Sequence, residues 1–253
     1  MESASETACP VCLITGATRG IGFATAEVFA KRGYAIVVNG HRDSTKVEEV
    51  AKDIATRFGV PTLGVAADAG DADSVQACHR AVFSRFKRLD VLVNNAGILG
   101  DGLIGMIGSD QVDHVLAVNV RGALLHLQLA ARLMERRKSG AIINVTSIMG
   151  IRGAAGATLY ASSKAAIVGM TLSAAKELGR KGIRVNAVAP GMINTEMLAD
   201  LSLETRSQRL SAIPLGYFGA PVDVAEVIAF LASPQAAYIN GQILGIDGGM
   251  AAW

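Results

Sequence analysis

Short apolar runs alternate with longer stretches of helical period along almost the whole chain. The runs Val11–Thr15, Ala35–Asn39, Thr62–Ala67, Leu89–Asn94, Ala141–Ser147, Ile183–Ala189 and Gln242–Asp247 lack the polar alternation of a strand with one wet face. Such runs predict parallel strands covered on both sides. Between them, Ile21–Arg32, Lys46–Phe58, Ser74–Lys87 and Val112–Arg137 repeat apolar residues at helical spacing, and Ala155–Leu178 is a further long helix with little polar face. Repeated strand–helix units predict an α/β fold: a doubly wound parallel sheet of seven strands, helices on both faces and right-handed crossovers. No linker, low-complexity tract or repeat interrupts the pattern, which predicts a single domain over 10–253 after a flexible tail at 1–9. Residues Gly191–Gly219 are the least regular, too long to be all loop. One or two short helices and a mobile cover are expected there.

Composition sharpens this picture. Of 253 residues, 51% are hydrophobic and 18% charged, with Gly at 28 and Pro at 6, as suits a dense core joined by tight turns. A net charge of +2 supplies no broad field to gather nucleic acid or an anionic membrane. No apolar run reaches the roughly 18 residues of a membrane span. The opening MESASETACP is polar and acidic, unlike a secretory signal. Three cysteines, an odd number, point to a reducing compartment, the cytoplasm first, with an organelle matrix left open. Cys9 and Cys12 form a C-x-x-C, yet Cys12 falls within an apolar strand and no helix follows directly, so a structural pair is favoured over a redox one. Cys78 and the four histidines lack metal-ligand spacing, and no metal is expected.

The first strand runs into Gly16-Ala-Thr-Arg-Gly20-Ile-Gly22 and then a helix. Gly16 permits the sharp turn, Gly20 lets backbone approach a pyrophosphate, and Gly22 allows close packing. The free N–H groups of the helix start favour that anion. At the first strand–helix junction of an α/β chain this is a Rossmann-type dinucleotide site, with Thr18, Arg19 and Ile21 among its contacts. NAD-binding folds place a carboxylate at the end of the second strand for the ribose 2′-hydroxyl. Here the chain reads Val38-Asn39-Gly40-His41-Arg42, with no carboxylate. Arg42 and Arg19 flank the spot, and both guanidinium groups suit a 2′-phosphate, with His41 a further expected cofactor contact. NADP(H) is therefore favoured over NAD(H), which Asp43 keeps open.

Three further segments carry chemistry. LDVLVNNAG over 89–97 is a strand ending in two amides, AIINVTS over 141–147 is a strand ending in a hydroxyl, and Tyr160-Ala-Ser-Ser-Lys164 opens a helix. Ligands bind beyond the carboxyl ends of such strands, so Ser147 should face the cofactor. Tyr160 and Lys164, at i and i+4, share a helix face. Reducing a carbonyl by hydride leaves an alkoxide that needs a proton. A free phenol, with a pKa of about 10, gives one up reluctantly near neutrality. A neighbouring ammonium and the positive end of a nicotinamide favour the phenolate, so Tyr160 is the expected acid in reduction and base in oxidation. Ser147 would donate to the substrate oxygen.

With these motifs the chain resembles the short-chain dehydrogenase/reductase family from Thr15 to Gly249: Thr15-Gly16…Gly20-Ile-Gly22, Asn94-Asn-Ala-Gly97, Ser147, Tyr160…Lys164 and Pro190-Gly191. The resemblance implies a fourth catalytic member, Asn119 in Val118-Asn119-Val120, holding a water in a proton relay. It also implies Asp68 and Ala69 at the adenine, and Asn95, Ala96 and Gly97 beside its ribose. Pro190, Gly191, Ile193 and Thr195 would surround the nicotinamide, with Lys164 on the nicotinamide ribose. Gly97-Ile-Leu-Gly-Asp101-Gly-Leu103, Gly182-Ile-Arg-Val-Asn186, Ile213-Pro-Leu and Ala237-Tyr-Ile-Asn-Gly-Gln…Asp247-Gly-Gly249 are most similar to 3-oxoacyl-[acyl-carrier-protein] reductases. That likeness implies a 3-oxoacyl thioester substrate in fatty-acid synthesis, a tetramer of 222 symmetry, and carrier docking on Lys138 and Lys181 near the pocket mouth. Two other readings stay open. One is the same chemistry on acetoacetyl-CoA, a sugar, a steroid or a xenobiotic; the other is a non-catalytic nucleotide-sensing or scaffold protein on the same fold.

Overall fold

The computed structural model describes residues 9–41, 43–100, 102–195 and 203–251. Seven strands form one all-parallel sheet: β1 (Val11–Ile14), β2 (Ala35–Gly40), β3 (Thr62–Ala66), β4 (Val91–Asn94), β5 (Gly140–Val145), β6 (Ile183–Pro190) and β7 (Ile243–Ile246). Their order is β3-β2-β1-β4-β5-β6-β7. The chain therefore winds outward in one direction from β1 to β3 and in the other from β4 to β7. The switch point lies between β1 and β4, where doubly wound folds open their ligand crevice.

Two apolar layers cover the sheet. On one face lie α1 (Gly20–Lys31), α2 (Ser44–Phe58) and α9 (Pro221–Ala232), contributing Phe29, Ile54 and Ile228 to a core that includes Cys12 and Ile14. On the other lie α3 (Ala72–Phe86), α5 (Ala123–Glu135) and α7 (Thr158–Gly179), which bury Phe86, Met134 and Leu178 against Leu13 and Leu92. Cys9 packs against this second layer, so the C-x-x-C sulfurs face opposite sides of the sheet. Burial also raises the Cys12 thiol pKa well above its ordinary value. These are packing thiols, not a redox pair.

Helix starts differ from the periodicity by a turn fraction, for a local reason. Asp43 and Asp71 cap α2 and α3 by accepting from the Lys46 and Ser74 N–H groups at 2.9 and 2.8 Å, so both helices begin two residues before their first apolar repeat. The stretch expected as one helix over Val112–Arg137 is interrupted. It comprises α4 (Ser109–Leu116), a π-helical segment (Ala117–Gly122) and α5. A further short helix, α6 (Met149–Arg152), follows β5. Within Gly191–Gly219, α8 (Leu203–Ser211) is one of the expected helices, while 196–202 lie outside the described residues, as do residues 1–8 of the expected tail.

Polar residues of β6 tie the C-terminal segment to the sheet. Arg184 donates to the carbonyls of Leu231 and Ser233 at the end of α9, at 2.6 and 3.1 Å. Asn186 donates to the Ile239 carbonyl and accepts from the Gln242 N–H, both at 2.9 Å. The sequence pattern from Gly182 to Asn186 thus belongs with that from Ala237 to Gln242.

Candidate active site

The glycine turn is built into the crevice by the end of β4. Thr15 Oγ1 accepts from the N–H groups of Asn95 and Ala96 at 3.0 and 2.9 Å, and Asn95 Nδ2 donates to the carbonyls of Thr15 and Gly16 at 2.9 and 3.0 Å. Gly16 takes φ +64°, and a Cβ on it would sit 3.0 Å from Ala96 Cα. A Cβ on Gly22 would sit 2.3 Å from the Gly16 carbonyl oxygen. Helix α1 starts at Gly20 with Arg19 as an extended N-cap, no side-chain cap bond and no acidic residue in its first turn. Its N–H groups and positive dipole end are therefore available to an anion, and these residues fit a dinucleotide pyrophosphate. Thr18 and Ile21, both half-buried, complete the turn. The Asn95 amide is committed to holding the turn, so its part toward a nucleotide is positional.

Beyond the ends of β4 and β5 the chemistry-bearing side chains converge. Lys164, only 4% exposed, donates to the Val145 carbonyl at 2.9 Å, and its Nζ lies 5.8 Å from the centre of the Tyr160 ring. Burial pulls the lysine pKa down to about 8. A Cβ on Gly97 would approach Lys164 Nζ to 3.2 Å and Asn119 Oδ1 to 3.4 Å, so the glycine leaves this space clear. Ser147 is buried just past β5, its Oγ accepting from the Met149 N–H at 3.2 Å. Asn119 sits in the π segment with its side chain fully engaged: Oδ1 accepts from the Ile98 N–H at 2.8 Å, and Nδ2 donates to the Ile98 carbonyl at 2.9 Å and to Ser163 Oγ at 3.0 Å. With the side chain so occupied, any water at Asn119 would have to be held by its main chain. Ser163 Oγ in turn donates to the Tyr160 carbonyl at 2.7 Å. Thr146 Oγ1 donates to the Lys164 carbonyl, also at 2.7 Å.

The flanks of the crevice hold the other expected contacts. Asp68 accepts from the Gly70 N–H through Oδ1 at 2.8 Å and meets His41 Nε2 through Oδ2 at 3.0 Å. Ala69 is buried against the π segment, where a Cβ on Gly122 would fall 2.2 Å from the Ala69 oxygen. Pro190 ends β6, and the Gly191 N–H donates to the Ile246 carbonyl at 2.9 Å. Ile193 is buried and bridges Gly219, while Thr195 Cγ2 lies 3.4 Å from where a Cβ on Gly20 would be, facing the glycine turn across the crevice. Arg42 lies outside the described residues. A separate cleft of about 450 Å³, lined by Thr18, Arg19, Gly20, Phe23, Glu49, Val50 and Asp53, opens toward α2 rather than over Tyr160. Glu49 and Asp53 make it unsuited to a phosphate. Among the described residues, no three His, Cys, Asp or Glu side chains cluster as a metal would require.

A family model described as enoyl-(acyl carrier protein) reductase matches residues 16–251. The 3-oxoacyl-[acyl-carrier-protein] reductase FabG of Staphylococcus aureus is 44% identical over 238 residues, 94% of this chain and 96% of the relative. This chain belongs to the short-chain dehydrogenase/reductase family. The FabG of Thermotoga maritima is 43% identical over 95% of this chain and 97% of its own, and a 3-oxoacyl-[acyl-carrier-protein] reductase of Synechocystis is 42% identical over 95% and 96%. As a short-chain dehydrogenase/reductase the protein is an oxidoreductase that works with a nicotinamide cofactor.

The two lysines expected at a carrier-docking surface do not sit beside Tyr160 within one chain of this short-chain dehydrogenase/reductase. Lys138 precedes β5 and Lys181 precedes β6, and the two turns pack together, a Cβ on Gly182 falling 2.1 Å from the Lys138 oxygen. Both therefore lie at the amino edge of the sheet, opposite Ser147 and Tyr160, with the length of β5, roughly 20 Å, between. Lys181 also pairs with Glu135 at 3.1 Å. Spacing along the sequence could not show which edge a turn occupies; counting strand direction would have. Thr15, Thr146 and Ser163 were the missed residues. Each sits beside a recognised motif, but hydroxyls that hold backbone carry no spacing of their own.

Proposed function

We propose that this protein reduces a 3-oxoacyl thioester, carried on acyl-carrier protein, to the 3-hydroxyacyl form with NADPH in fatty-acid synthesis. The observation that carries the reading is the buried Lys164 ammonium beneath the Tyr160 ring at the crevice edge of the sheet. Bound NADPH supplies the hydride to the carbonyl carbon. The Tyr160 hydroxyl gives its proton to the oxygen as negative charge develops there, and Lys164 favours the phenolate left behind. Ser147 donates a hydrogen bond to the same oxygen, an aid aimed at the transition state. The glycine turn and α1 would hold the pyrophosphate, Asp68 and Ala69 would lie at the adenine, and Pro190, Gly191, Ile193 and Thr195 would lie around the nicotinamide.

Support for the substrate comes from the names of the relatives, and for NADPH from an imidazole and arginines where NAD-binding strands end in a carboxylate. The outward face of α7 carries Ala165, Ala166, Gly169 and Leu172, all exposed, an apolar strip that supports burial between copies in a homotetramer. Free thiols at Cys9, Cys12 and Cys78 support a reducing, cytoplasmic setting. No helix among the described residues is long and apolar enough to cross a membrane.

The family model's description favours a second reading, reduction of an enoyl thioester. A turnover panel separates them: carrier-bound and CoA-bound 3-oxoacyl thioesters, an enoyl thioester and an unrelated ketone, each with NADPH and NADH. Fastest turnover of the carrier-bound 3-oxoacyl substrate with NADPH is expected. Preference for the enoyl thioester or the ketone would reject the substrate assigned here.

A further inference from the structure

The loop between β3 and α3 is folded onto its own backbone. Asp68 Oδ1 accepts from the Gly70 N–H at 2.8 Å, and the Asp71 N–H donates to the Asp68 carbonyl at 3.1 Å. The π segment packs against this loop with both its ends. A Cβ on Gly70 would lie 3.3 Å from Val118 Cγ2 and 3.6 Å from Ala117 Cβ, and one on Gly122 would fall 2.2 Å from the Ala69 oxygen. Between these approaches Arg121, an exposed residue, donates through Nη2 to the Gly70 carbonyl. Its charge also reaches the start of α3: hydrogen bonds from Ser74, and to a lesser degree the Arg121 guanidinium, hold the Asp71 carboxyl below its ordinary range.

Van der Waals contact alone lets a glycine-containing loop slide over the surface it touches, whereas a charged donor on one carbonyl fixes its register. The guanidinium is a rigid fork of five donors, and here its stem springs from the turn that carries Asn119. We propose that Arg121 is a positioning residue: by holding the Gly70 carbonyl it keeps the loop of Asp68 and Ala69 in the shape that receives the adenosine half of the cofactor. The inference rests on the reading above that Asp68 and Ala69 lie at the adenine.

The rest of the crevice is held by other groups. Thr15 and Asn95 fix the glycine turn, while Thr146 and Ser163 bond the backbone of Lys164 and Tyr160. Loss of the Arg121 donors therefore acts on one half of the site. A loop already in place binds its ligand without an ordering cost, and a loop released from Arg121 incurs that cost on every ligand that carries the adenosine.

The test compares the unmodified full chain with Arg121→Met, which keeps an unbranched side chain of good helix propensity and removes the donors. Dissociation constants are measured by nucleotide fluorescence for NADPH and for reduced nicotinamide mononucleotide, which lacks the adenosine half. Displacement of NADPH gives the constant for adenosine 2′,5′-bisphosphate, which lacks the nicotinamide half. Arg121→Met should weaken NADPH and the bisphosphate about fivefold, the size of one hydrogen bond, and leave the mononucleotide unchanged. Hydrogen exchange at the Gly70 and Asp71 amides of the cofactor-free variant should quicken. Equal weakening of all three ligands, unchanged binding of the bisphosphate, or unchanged exchange at the two amides overturns the inference alone. In the unmodified protein the bisphosphate should slow exchange across residues 68–71; no slowing there overturns the placement of the adenine and the inference with it.

Discussion

Lys164 holds a charge where burial opposes it, and the consequence is a pH limit on activity. Burial lowers its folded pKa from the ordinary 10.5 to about 8, so the ammonium prevails below that value and is lost above it. The pH profile of kcat/KM for NADPH, which reports the cofactor-free enzyme, should fall on its alkaline side from about pH 8, about tenfold per unit. Lys164→Arg, charged throughout, should move that limb upward even where it lowers the maximum. A profile level to pH 10 would remove the lysine's charge from the mechanism. The proposed catalytic residues Ser147, Tyr160 and Lys164 stood out in the sequence because each carries a chemical type at a strand end or one helical turn apart. How Asn119 is held did not, because only the fold shows its amide spent on Ile98 and Ser163.

At the scale of elements, the π segment joins two halves of the site. It swings Asn119 toward Ile98, packs Gly122 on Ala69 and rests against α7 through Ser163. Apolar periodicity predicted one uninterrupted helix here, since a single extra residue in a turn leaves the apolar face nearly unbroken. Ser163→Ala removes the acceptor of a buried Asn119 N–H and should cost about 1–3 kcal/mol of stability. The loss would be read by chemical denaturation. It should also lower kcat more than it raises KM for NADPH, because the glycine turn is untouched. An equal effect on both would place Ser163 in cofactor binding. Strand assignments survived best, as buried parallel strands are continuous apolar runs. The edge on which Lys138 and Lys181 lie needed the direction of β5 and β6.

For the whole molecule, stability toward acid and the proposed chemistry are set at different places. The face under α3 and α5 contains a buried imidazole pair, His79 Nε2 and His126 Nδ1 at 3.0 Å, whose outer nitrogens have no partner. Burial lowers the two pKa values to about 4 and about 3, with His79 itself a further cause at His126. Unfolded imidazoles titrate near 6.5, so below that pH the unfolded chain binds more protons than the folded one. The pair's contribution is present above about pH 6.5 and declines as pH falls, by about 3 kcal/mol for each imidazole near pH 4. Denaturation midpoints should drop accordingly, and His79→Gln with His126→Leu should flatten the drop; an equally steep drop in the double variant would show that other groups govern acid stability. The carboxyl edge of the sheet gathers the glycine turn, Ser147, Tyr160 and Lys164 into one crevice. The most direct test of that assembly is NADPH oxidation by Tyr160→Phe with a carrier-bound 3-oxoacyl thioester, measured beside NADPH binding. Turnover reduced by a factor of about a thousand or more with binding nearly unchanged is the expected result. Turnover near that of the unmodified protein would contradict the proton transfer on which the account depends.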